Sequence, residues 1–197
     1  TEEVSKDVKL EAKTTEATAS GLVDRSDTGD PVTNATVTGS PAGNSGQLFE
    51  TTTNEAGEYE VTFEVRVPDE PDEIAVGASA EDFEDSEQTV SFGNEISADL
   101  SLSPSEVTVT TSGTITAELD DSTVEGAEVS IFPLGDNNGK ALASTTSETG
   151  GAYSLSFSIS APDAPDELRL EASERRFDDT TTTVGFSESI SRDIKLP

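Results

Sequence analysis

The fold class is decided by residues 58–67, Glu58-Tyr59-Glu60-Val61-Thr62-Phe63-Glu64-Val65-Arg66-Val67. Apolar and polar side chains alternate through the whole stretch, which buries one face of an extended chain and leaves the other in water. The same alternation returns 94 positions later in Ala152-Tyr153-Ser154-Leu155-Ser156-Phe157-Ser158-Ile159-Ser160-Ala161, with serine in place of most charged residues. A helical period fits neither stretch. Both therefore predict half-buried β-strands.

The rest of the chain repeats with nearly the same offset. Two proline-rich elements, Pro68-Asp69-Glu70-Pro71-Asp72-Glu73 and Pro162-Asp163-Ala164-Pro165-Asp166-Glu167, are expected to be stiff connections between strands. Further alternating stretches match between the repeats: Gly21–Val23 with Gly113–Ile115, Val32–Val37 with Val124–Val129, Ile74–Ala78 with Leu168–Ala172, Val90–Phe92 with Val184–Phe186, and Leu100–Leu102 with Ile194–Leu196. About seven short strands per repeat, and no helix, predict an all-β fold of two tandem antiparallel seven-stranded β-sandwiches, Ig-like in strand number.

The repeats set the expected domain boundaries. Repeat one covers residues 14–103 and repeat two residues 104–197, joined by a short linker over residues 103–106 that favours an elongated arrangement. Residues 1–13 contain a third copy of the last strand, Ser5-Lys6-Asp7-Val8-Lys9-Leu10. Two interpretations stay open. The segment is either the end of a preceding repeat or a strand donated to another copy through Val4, Val8 and Leu10.

The charge of the chain limits the partners that it can bind and indicates the salt concentration that it suits. The chain has 41 acidic and 11 basic residues, a net charge of -30, and 31% hydrophobic residues. The acids are spread through both repeats, a composition similar to that of haloarchaeal proteins, for which molar salt screens the repulsion. The same charge argues against nucleic acid and anionic membranes as partners. The sequence has no apolar run of about 18 residues, so we expect no membrane insertion within this segment.

Candidate chemistry is limited. The chain has no His and no Cys, which excludes Ser-His-Asp triads, Cys-His dyads and His/Cys metal sites within it, and no acid pair stands out, so we expect no enzyme activity. Calcium is the one cofactor that the sequence suggests, because oxygen ligands cluster in two loops. The candidate ligands are Asp24, Asp27 and Asp30 in one loop and Asp136 and Asn138 in the other. Ordinary solvated turns have the same composition.

One glycosylation motif is present. Asn34-Ala35-Thr36 is a sequon for N-linked glycosylation and fits a surface strand of an exported protein. Asn34 is therefore a candidate modification site.

The motifs of repeat one resemble the carboxypeptidase regulatory-like domain. They are Ser20-Gly21-Leu22-Val23-Asp24, then Thr28-Gly29-Asp30-Pro31-Val32-Thr33-Asn34-Ala35-Thr36-Val37, then Thr51-Thr52-Thr53-Asn54-Glu55-Ala56-Gly57-Glu58-Tyr59. Repeat two matches more loosely through Gly113–Ile115, Gly126–Val129 and Thr149–Tyr153. The resemblance implies a transthyretin-like (prealbumin-like) sandwich that serves as a non-catalytic accessory of surface and secreted proteins. Gly57 and Gly151 are expected in turns that need a positive φ.

A related group, the collagen-adhesin B-type domains, often carries a Lys–Asn isopeptide bond. Residues 14–103 contain no Lys, so repeat one cannot form this bond by itself; repeat two offers only Lys140 and Lys195. We expect no isopeptide bond.

Together these features predict a structural or adhesive module of an extracellular or cell-surface protein adapted to high salt. Its partners would be proteins, either neighbouring repeats or copies of itself. Two alternatives stay open: a filament subunit assembled by donation of its N-terminal strand, and an accessory domain of a secreted peptidase or carbohydrate-active enzyme.

Overall fold

The computed structural model describes residues 11–44, 46–135 and 139–197. Within these ranges the chain is all-β apart from two three-residue 3-10 helices, which confirms the predicted fold class. Contacts divide the chain into two compact units, with the boundary between Pro104 and Ser105. The residues that precede this boundary are called the first unit, and those that follow it the second unit.

Each unit is built from short strands. Those of the first unit are β1 Thr14–Arg25, β2 Thr36–Pro41, β3 Phe49–Thr52, β4 Glu58–Arg66, β5 Glu73–Ser79, β6 Phe83–Glu84, β7 Ser86–Ser91, β8 Glu95–Ser97 and β9 Leu100–Pro104. Those of the second unit are β10 Glu106–Ala117, β11 Glu128–Pro133, β12 Ala143–Thr146, β13 Ala152–Ser160, β14 Glu167–Ser173, β15 Thr180–Gly185, β16 Ser189–Ser191 and β17 Ile194–Leu196. The 3-10 helices are Val67–Asp69 and Ala161–Asp163.

Two sheets face each other in each unit. In the first unit one sheet has the order β4-β1-β9-β6, with β8 also paired to β1, and the other has the order β3-β2-β5-β7. The second unit repeats this with β13-β10-β16, where β17 also pairs with β10, and β12-β11-β14-β15. Each core contains buried side chains from both of its sheets, which makes each unit a sandwich.

The last strand of each unit is interrupted. β8 and β9 pair with successive parts of β1, and β16 and β17 pair in the same way with β10. When each interrupted pair is counted as one strand, the described part of the second unit has seven strands, and the first unit adds only the two-residue β6.

These pairings with β1 and β10 are parallel, whereas the sequence predicted an antiparallel sandwich. The reason is topological. The chain reaches its last strand by crossing over from the opposite sheet, not through a hairpin, and a crossover permits a parallel neighbour. All other named strand pairs are antiparallel among the described residues.

Several predicted boundaries move. The linker expected over residues 103–106 is reduced to Ser105, because β9 ends at Pro104 and β10 begins at Glu106. Val32 and Ala35 are buried as predicted, but they precede β2 and do not lie in it. The proline-rich connections begin as 3-10 helices, since proline fixes a φ suited to a first helical turn.

One buried hydroxyl occupies the same place in both units. The Oγ1 of Thr53 donates to the carbonyl of Val32 at 2.6 Å and accepts from the backbone N–H of Ala35 at 2.9 Å. Ser147 does the same with Val124 and Ala127, at 2.7 and 3.0 Å. Each hydroxyl connects the segment before β2 or β11 to the residue that follows β3 or β12. It thereby satisfies backbone groups that would otherwise be buried without partners.

The buried hydroxyl of Thr111 has no hydrogen-bond partner among the described residues, and its side chain is fully buried. Its counterpart in the first unit is Ala19, which has no hydroxyl to satisfy. We expect Thr111→Val to keep the shape and to raise the free energy of unfolding by about 1 kcal/mol, because it removes an unpaired polar group. Chemical denaturation measures the change; a destabilisation of similar size would contradict it.

Candidate functional site

In the first unit, hydrogen bonds that involve side chains hold the last strand where it is interrupted between β8 and β9. The Tyr59 hydroxyl donates to the carbonyl of Ala98 at 2.7 Å, and the backbone N–H of Leu22 donates to Oδ1 of Asp99 at 2.9 Å. The Asp99 side chain thus continues the ladder of β1 where the backbone of the last strand leaves it. Gly21 lies beneath: a Cβ there would stand 2.0 Å from the Ala98 oxygen. We call this group the strand junction.

The second unit has the same strand junction. Tyr153 donates to the carbonyl of Arg192 at 2.5 Å, and the N–H of Thr114 donates to Oδ1 of Asp193 at 2.9 Å. A Cβ on Gly113 would stand 1.9 Å from the Arg192 oxygen. Both junctions contain a Gly, a Tyr and an Asp: the Asp is bonded to the first strand, and the Tyr reaches the last strand from β4 or β13.

Both tyrosines are perturbed by their position. Burial, and then the charge of Asp99, raises the pKa of Tyr59 from 10.0 to about 12. Burial, and then Asp193, raises the pKa of Tyr153 from 10.0 to about 12, with a small opposing effect of Arg192. Neutral tyrosine is favoured in the fold because the anion could neither donate to the carbonyl nor be solvated.

The raised pKa of the two tyrosines predicts how the stability of the fold changes at alkaline pH. A raised pKa means that the fold binds the phenolic proton more tightly than the unfolded chain does. The stabilisation is complete below about pH 10 and is lost as the pH rises towards 12. Because the chain has two Tyr and no Trp, tyrosinate absorbance reports on these two groups alone. We expect both to ionise near pH 12 or with unfolding; ionisation near pH 10 in folded protein would contradict the junction geometry.

The loop with Asp24, Asp27 and Asp30 does not form a cluster of ligands. Asp24 accepts a hydrogen bond from the hydroxyl of Ser101 at 2.6 Å, and Asp27 pairs with Arg25, whose Nη2 lies 2.9 Å from Oδ2. The Arg25 guanidinium lowers the pKa of Asp27. Within the described residues no three acidic side chains converge as a metal site would require. Calcium binding therefore stays a prediction, without support from this geometry.

Other candidate residues fall outside the described residues. These are Asp136 and Asn138 of the second predicted calcium loop and Val4, Val8 and Leu10 of the proposed donor strand. Both hypotheses stay predictions.

Asn34 is exposed, at the turn before β2. Its φ is 56°, in the left-handed region that Asn tolerates, and the equivalent position in the second unit is Gly126 with a φ of 78°. The backbone N–H of Asn34 donates to the Thr53 carbonyl at 3.1 Å. The turn presents the side-chain amide to solvent, as a glycan acceptor requires.

The two units differ in charge on one sheet face. The outward side chains of β1 and β4 include Glu16, Glu58, Glu60 and Glu64, and Glu16 lies directly opposite Glu64. The same face of the second unit consists mainly of hydroxyl side chains, which we call the hydroxyl face: Thr108, Thr110, Ser112, Thr114, Ser154, Ser156, Ser158, Ser160, Ser189 and Ser191. A surface that carries several carboxylates in one unit is thus neutral in the other apart from Glu106 at its end.

Five surface depressions have a lining that is more polar than apolar. One of about 780 Å³ in the second unit is lined by Gly126, Glu128, Ser173, Glu174, Arg175, Arg176, Phe177 and Asp179. Arg176 is already paired with Glu174, at 3.1 Å. Small-molecule sites are usually apolar clefts with a few convergent polar groups, whereas five of the eight residues that line this depression are charged.

Sequence reasoning missed the strand junctions and the buried hydroxyls. It placed Tyr59 and Tyr153 at the start of buried strand faces and gave their hydroxyls no role. The signal was present, because Ser97-Ala98-Asp99 and Ser191-Arg192-Asp193 repeat with an Asp at the same place. A repeated acid beside a buried strand indicates a charge with a fixed structural partner.

Comparisons with known proteins support the fold alone. No family model and no curated protein matches the chain. Among solved structures, the TIE protein of Bacillus anthracis is similar over 92% of this chain and 34% of that chain, with 12% identity and a TM-score of 0.52. The chain therefore spans about a third of that protein's length.

Two pilins match with lower TM-scores. The shaft pilin SpaA of Lactobacillus rhamnosus GG matches with 11% identity over 93% of this chain and 97% of that chain, at a TM-score of 0.36. GBS52, the minor pilin of Streptococcus agalactiae, matches with 12% identity over 91% and 95%, at a TM-score of 0.32. These values are too low for an inference about this chain. In the described residues we find no helix with the length and apolarity of a membrane span.

Proposed function

We propose that the chain is a non-catalytic structural module of a protein outside the cell and that each unit carries tension along the polypeptide. The observation that carries this proposal is the position of the first and last strands. In each unit they are hydrogen-bonded neighbours and run in the same direction. The chain enters each sandwich on one of these strands and leaves it on the other.

This geometry determines how force acts on a unit. Pulling on the two ends of a parallel pair slides one strand along the other, so the hydrogen bonds between them are loaded together. An antiparallel pair pulled from its open end breaks its bonds one after another instead. Loading in shear raises the barrier to unfolding, and that barrier governs resistance to force.

The strand junctions hold the last strand where it is interrupted: Asp99 and Asp193 bond it to the first strand, β1 or β10, and Tyr59 and Tyr153 bond it to β4 or β13. These residues recur in both units, whereas the exposed face beside them changes from acidic to neutral. A module whose duplicated copies retain a mechanical connection and diverge on their surfaces fits a spacer or display element.

Location outside the cell and adaptation to high salt are parts of the same proposal. The exposed Asn34 sequon and the resemblance to surface and secreted accessory domains support the first. The net charge of -30 supports the second. An accessory role beside an enzyme domain, as the resemblance also implies, is compatible with a tension-bearing spacer.

Single-molecule pulling from the two chain ends tests the proposal. We expect two all-or-none unfolding steps, each releasing about 300 Å of chain, because a unit of about 90 residues extends by up to 3.6 Å per residue. Gradual lengthening without discrete steps, or steps much shorter than a whole unit, would contradict the proposed role of the terminal strands.

A further inference from the structure

The edge strand β13 of the second unit lacks the features that usually protect an edge from pairing with another chain. β13 pairs with β10 on one side, and no described strand pairs with it on the other. It is nine residues long, Ala152–Ser160, and contains no charge, proline or glycine. Natural proteins usually protect such edges, because a free row of N–H and C=O groups is a template for another strand.

The equivalent strand of the first unit is protected. β4 is also nine residues long and also pairs only with β1, but its outward side chains are Glu58, Glu60, Thr62, Glu64 and Arg66. A second copy aligned on this edge with Thr62 opposite itself would bring Glu60 opposite Glu64 on both sides of the centre, with Glu58 opposite Arg66 at the ends. At the same positions β13 has Ala152, Ser154, Ser156, Ser158 and Ser160. The duplication therefore provides a matched pair, one edge blocked by charge and the other open.

The remaining described edges are shorter than β13, and some of them are charged. β12 and β3 have four residues each, and β7 carries Glu87. β15 is uncharged, but it has only six residues, and two of its side chains are bonded towards the facing sheet: Thr180 donates to the Lys195 carbonyl at 3.1 Å, and Arg192 donates to Thr182 at 2.9 Å. β13 is thus the long neutral edge among the described strands.

The backbone groups that β13 offers can be identified. The N–H of Ala161 donates to the Ser105 carbonyl, and the N–H of Ile115 donates to the Gly151 carbonyl. These bonds flank the β10–β13 ladder and assign its hydrogen bonds to the odd-numbered residues. The even-numbered residues, the serines, therefore direct their N–H and C=O groups to the open side.

We propose that β13 is a self-association edge, through which two copies of this chain pair antiparallel into one continuous sheet. With Ser156 opposite its own copy, Ser154 faces Ser158 of the other molecule and Ala152 faces Ser160. The even-numbered residues then exchange hydrogen bonds across the contact, as an antiparallel pair requires. The adjoining hydroxyl face is neutral, apart from Glu106 at its end, so the pairing brings few carboxylates together.

A second copy is favoured over a charged partner by the charge distribution. The chain carries -30, so copies repel each other over most of their surface, and the repulsion is weakest where the surface is neutral. A basic partner would be attracted to the carboxylates of the first unit, because β13 has no charged residue. Residues 3–10 are the alternative occupant, but their sequence resembles β9 and β17, which pair with β1 and β10 and not with an edge such as β13.

Sedimentation of the full chain tests the proposal. In molar NaCl, where the Debye length is about 3 Å, we expect a reversible monomer–dimer equilibrium that shifts towards monomer at low salt. A chain that remains monomeric in molar NaCl at the highest attainable concentration overturns the proposal.

Matched variants localise the contact. Ser154→Glu/Ser158→Glu gives β13 the carboxylates that Glu60 and Glu64 supply in β4, which the same fold already accommodates, and should weaken dimerisation by about tenfold or more. Glu60→Ser/Glu64→Ser, the reciprocal change in β4, should retain dimerisation or strengthen it. Equal dimerisation by the wild type and the β13 variant overturns the proposal.

Hydrogen exchange can be measured on the wild-type chain, so this test does not depend on the folding of a variant. At concentrations that favour the dimer, the amides of Ser154, Ser156 and Ser158 should gain protection, while those of Glu60, Thr62 and Glu64 should not. Deletion of residues 1–10 should leave both results unchanged; loss of dimerisation on deletion identifies the N-terminal segment as the occupant and overturns the proposal. The inference goes beyond the proposed function and fails separately from it, because pulling is measured on single molecules.

Discussion

The melting temperature of the chain is expected to rise by at least about 10 °C from low to molar NaCl. Residues 14–103 carry 20 acidic and two basic residues, a net charge of -18, and residues 104–197 carry 17 acidic and six basic residues, a net charge of -11. Two carboxylates about 9 Å apart in water repel by about 0.5 kcal/mol. Many such pairs act on each unit, so screening them should recover several kcal/mol of folding free energy.

One cross-strand pair makes the effect testable at residue level. Glu16 lies directly opposite Glu64 in the first unit, and the equivalent residues of the second unit are Thr108 and Ser158, whose hydroxyls share a hydrogen bond of 3.1 Å. Glu16→Thr/Glu64→Ser transfers the neutral pair into the first unit. We expect the variant to be about 1 kcal/mol more stable than wild type at low salt and nearly equal to it in molar salt.

Calorimetry across a salt series provides the measurement. Sucrose is the control, because it strengthens apolar burial without screening charge. A melting temperature that is flat in NaCl, or that rises equally in sucrose, would contradict the adaptation to high salt. An equal gain of the Glu16→Thr/Glu64→Ser variant at every salt concentration would contradict the assignment of the effect to repulsion.

Gly21→Ala and Gly113→Ala are each expected to destabilise their own unit by about 3 kcal/mol or more. The added Cβ would stand 2.0 Å from the Ala98 carbonyl oxygen in the first unit and 1.9 Å from that of Arg192 in the second. Both obstacles are backbone atoms of the last strand, so the strand itself must move. That movement would also break the hydrogen bond from Tyr59 or Tyr153 to the same carbonyl.

Gly77→Ala is the matched control. Gly77 also lies in a strand, β5, but an added Cβ would meet no atom closer than 3.6 Å. We expect a change within about 1 kcal/mol, and in the stabilising direction, because alanine lowers the entropy of the unfolded chain. Denaturant titration of the three variants compares them; equal effects at Gly21 and Gly77 would show that the junction is not tightly packed.

The sequence predicted the strands because their signal is local. Alternation at Tyr59–Val65 and Tyr153–Ile159 depends only on neighbours in the chain, and every apolar residue of these runs lies in a core or packs against one. Gly57 and Gly151 have the positive φ expected of them, 75° and 76°, for the same local reason. Because the two units repeat, a strand predicted in one unit also predicted its counterpart in the other.

The candidate sites depended on contacts between distant residues and were harder to predict. Asp24 and Asp27 look alike in the sequence, yet one is bonded to Ser101 and the other to Arg25. The hydrogen bond of Tyr59 to Ala98 spans 39 residues and requires the parallel placement of the last strand, which no local pattern encodes. The free edge of β13 likewise becomes visible only when the sheet order is known.

The proposed tension-bearing role is tested most directly by pulling one unit in two directions. The chain has no Cys, so introduced cysteines are unique attachment points. Force applied through the chain ends loads β1 against β8 and β9 in shear, whereas force between Glu11→Cys and Asp69→Cys opens the antiparallel pair of β1 and β4 from the end where Thr14 lies opposite Arg66. We expect the first unit to yield at a severalfold higher force in the first geometry. Equal forces in the two geometries would contradict the account.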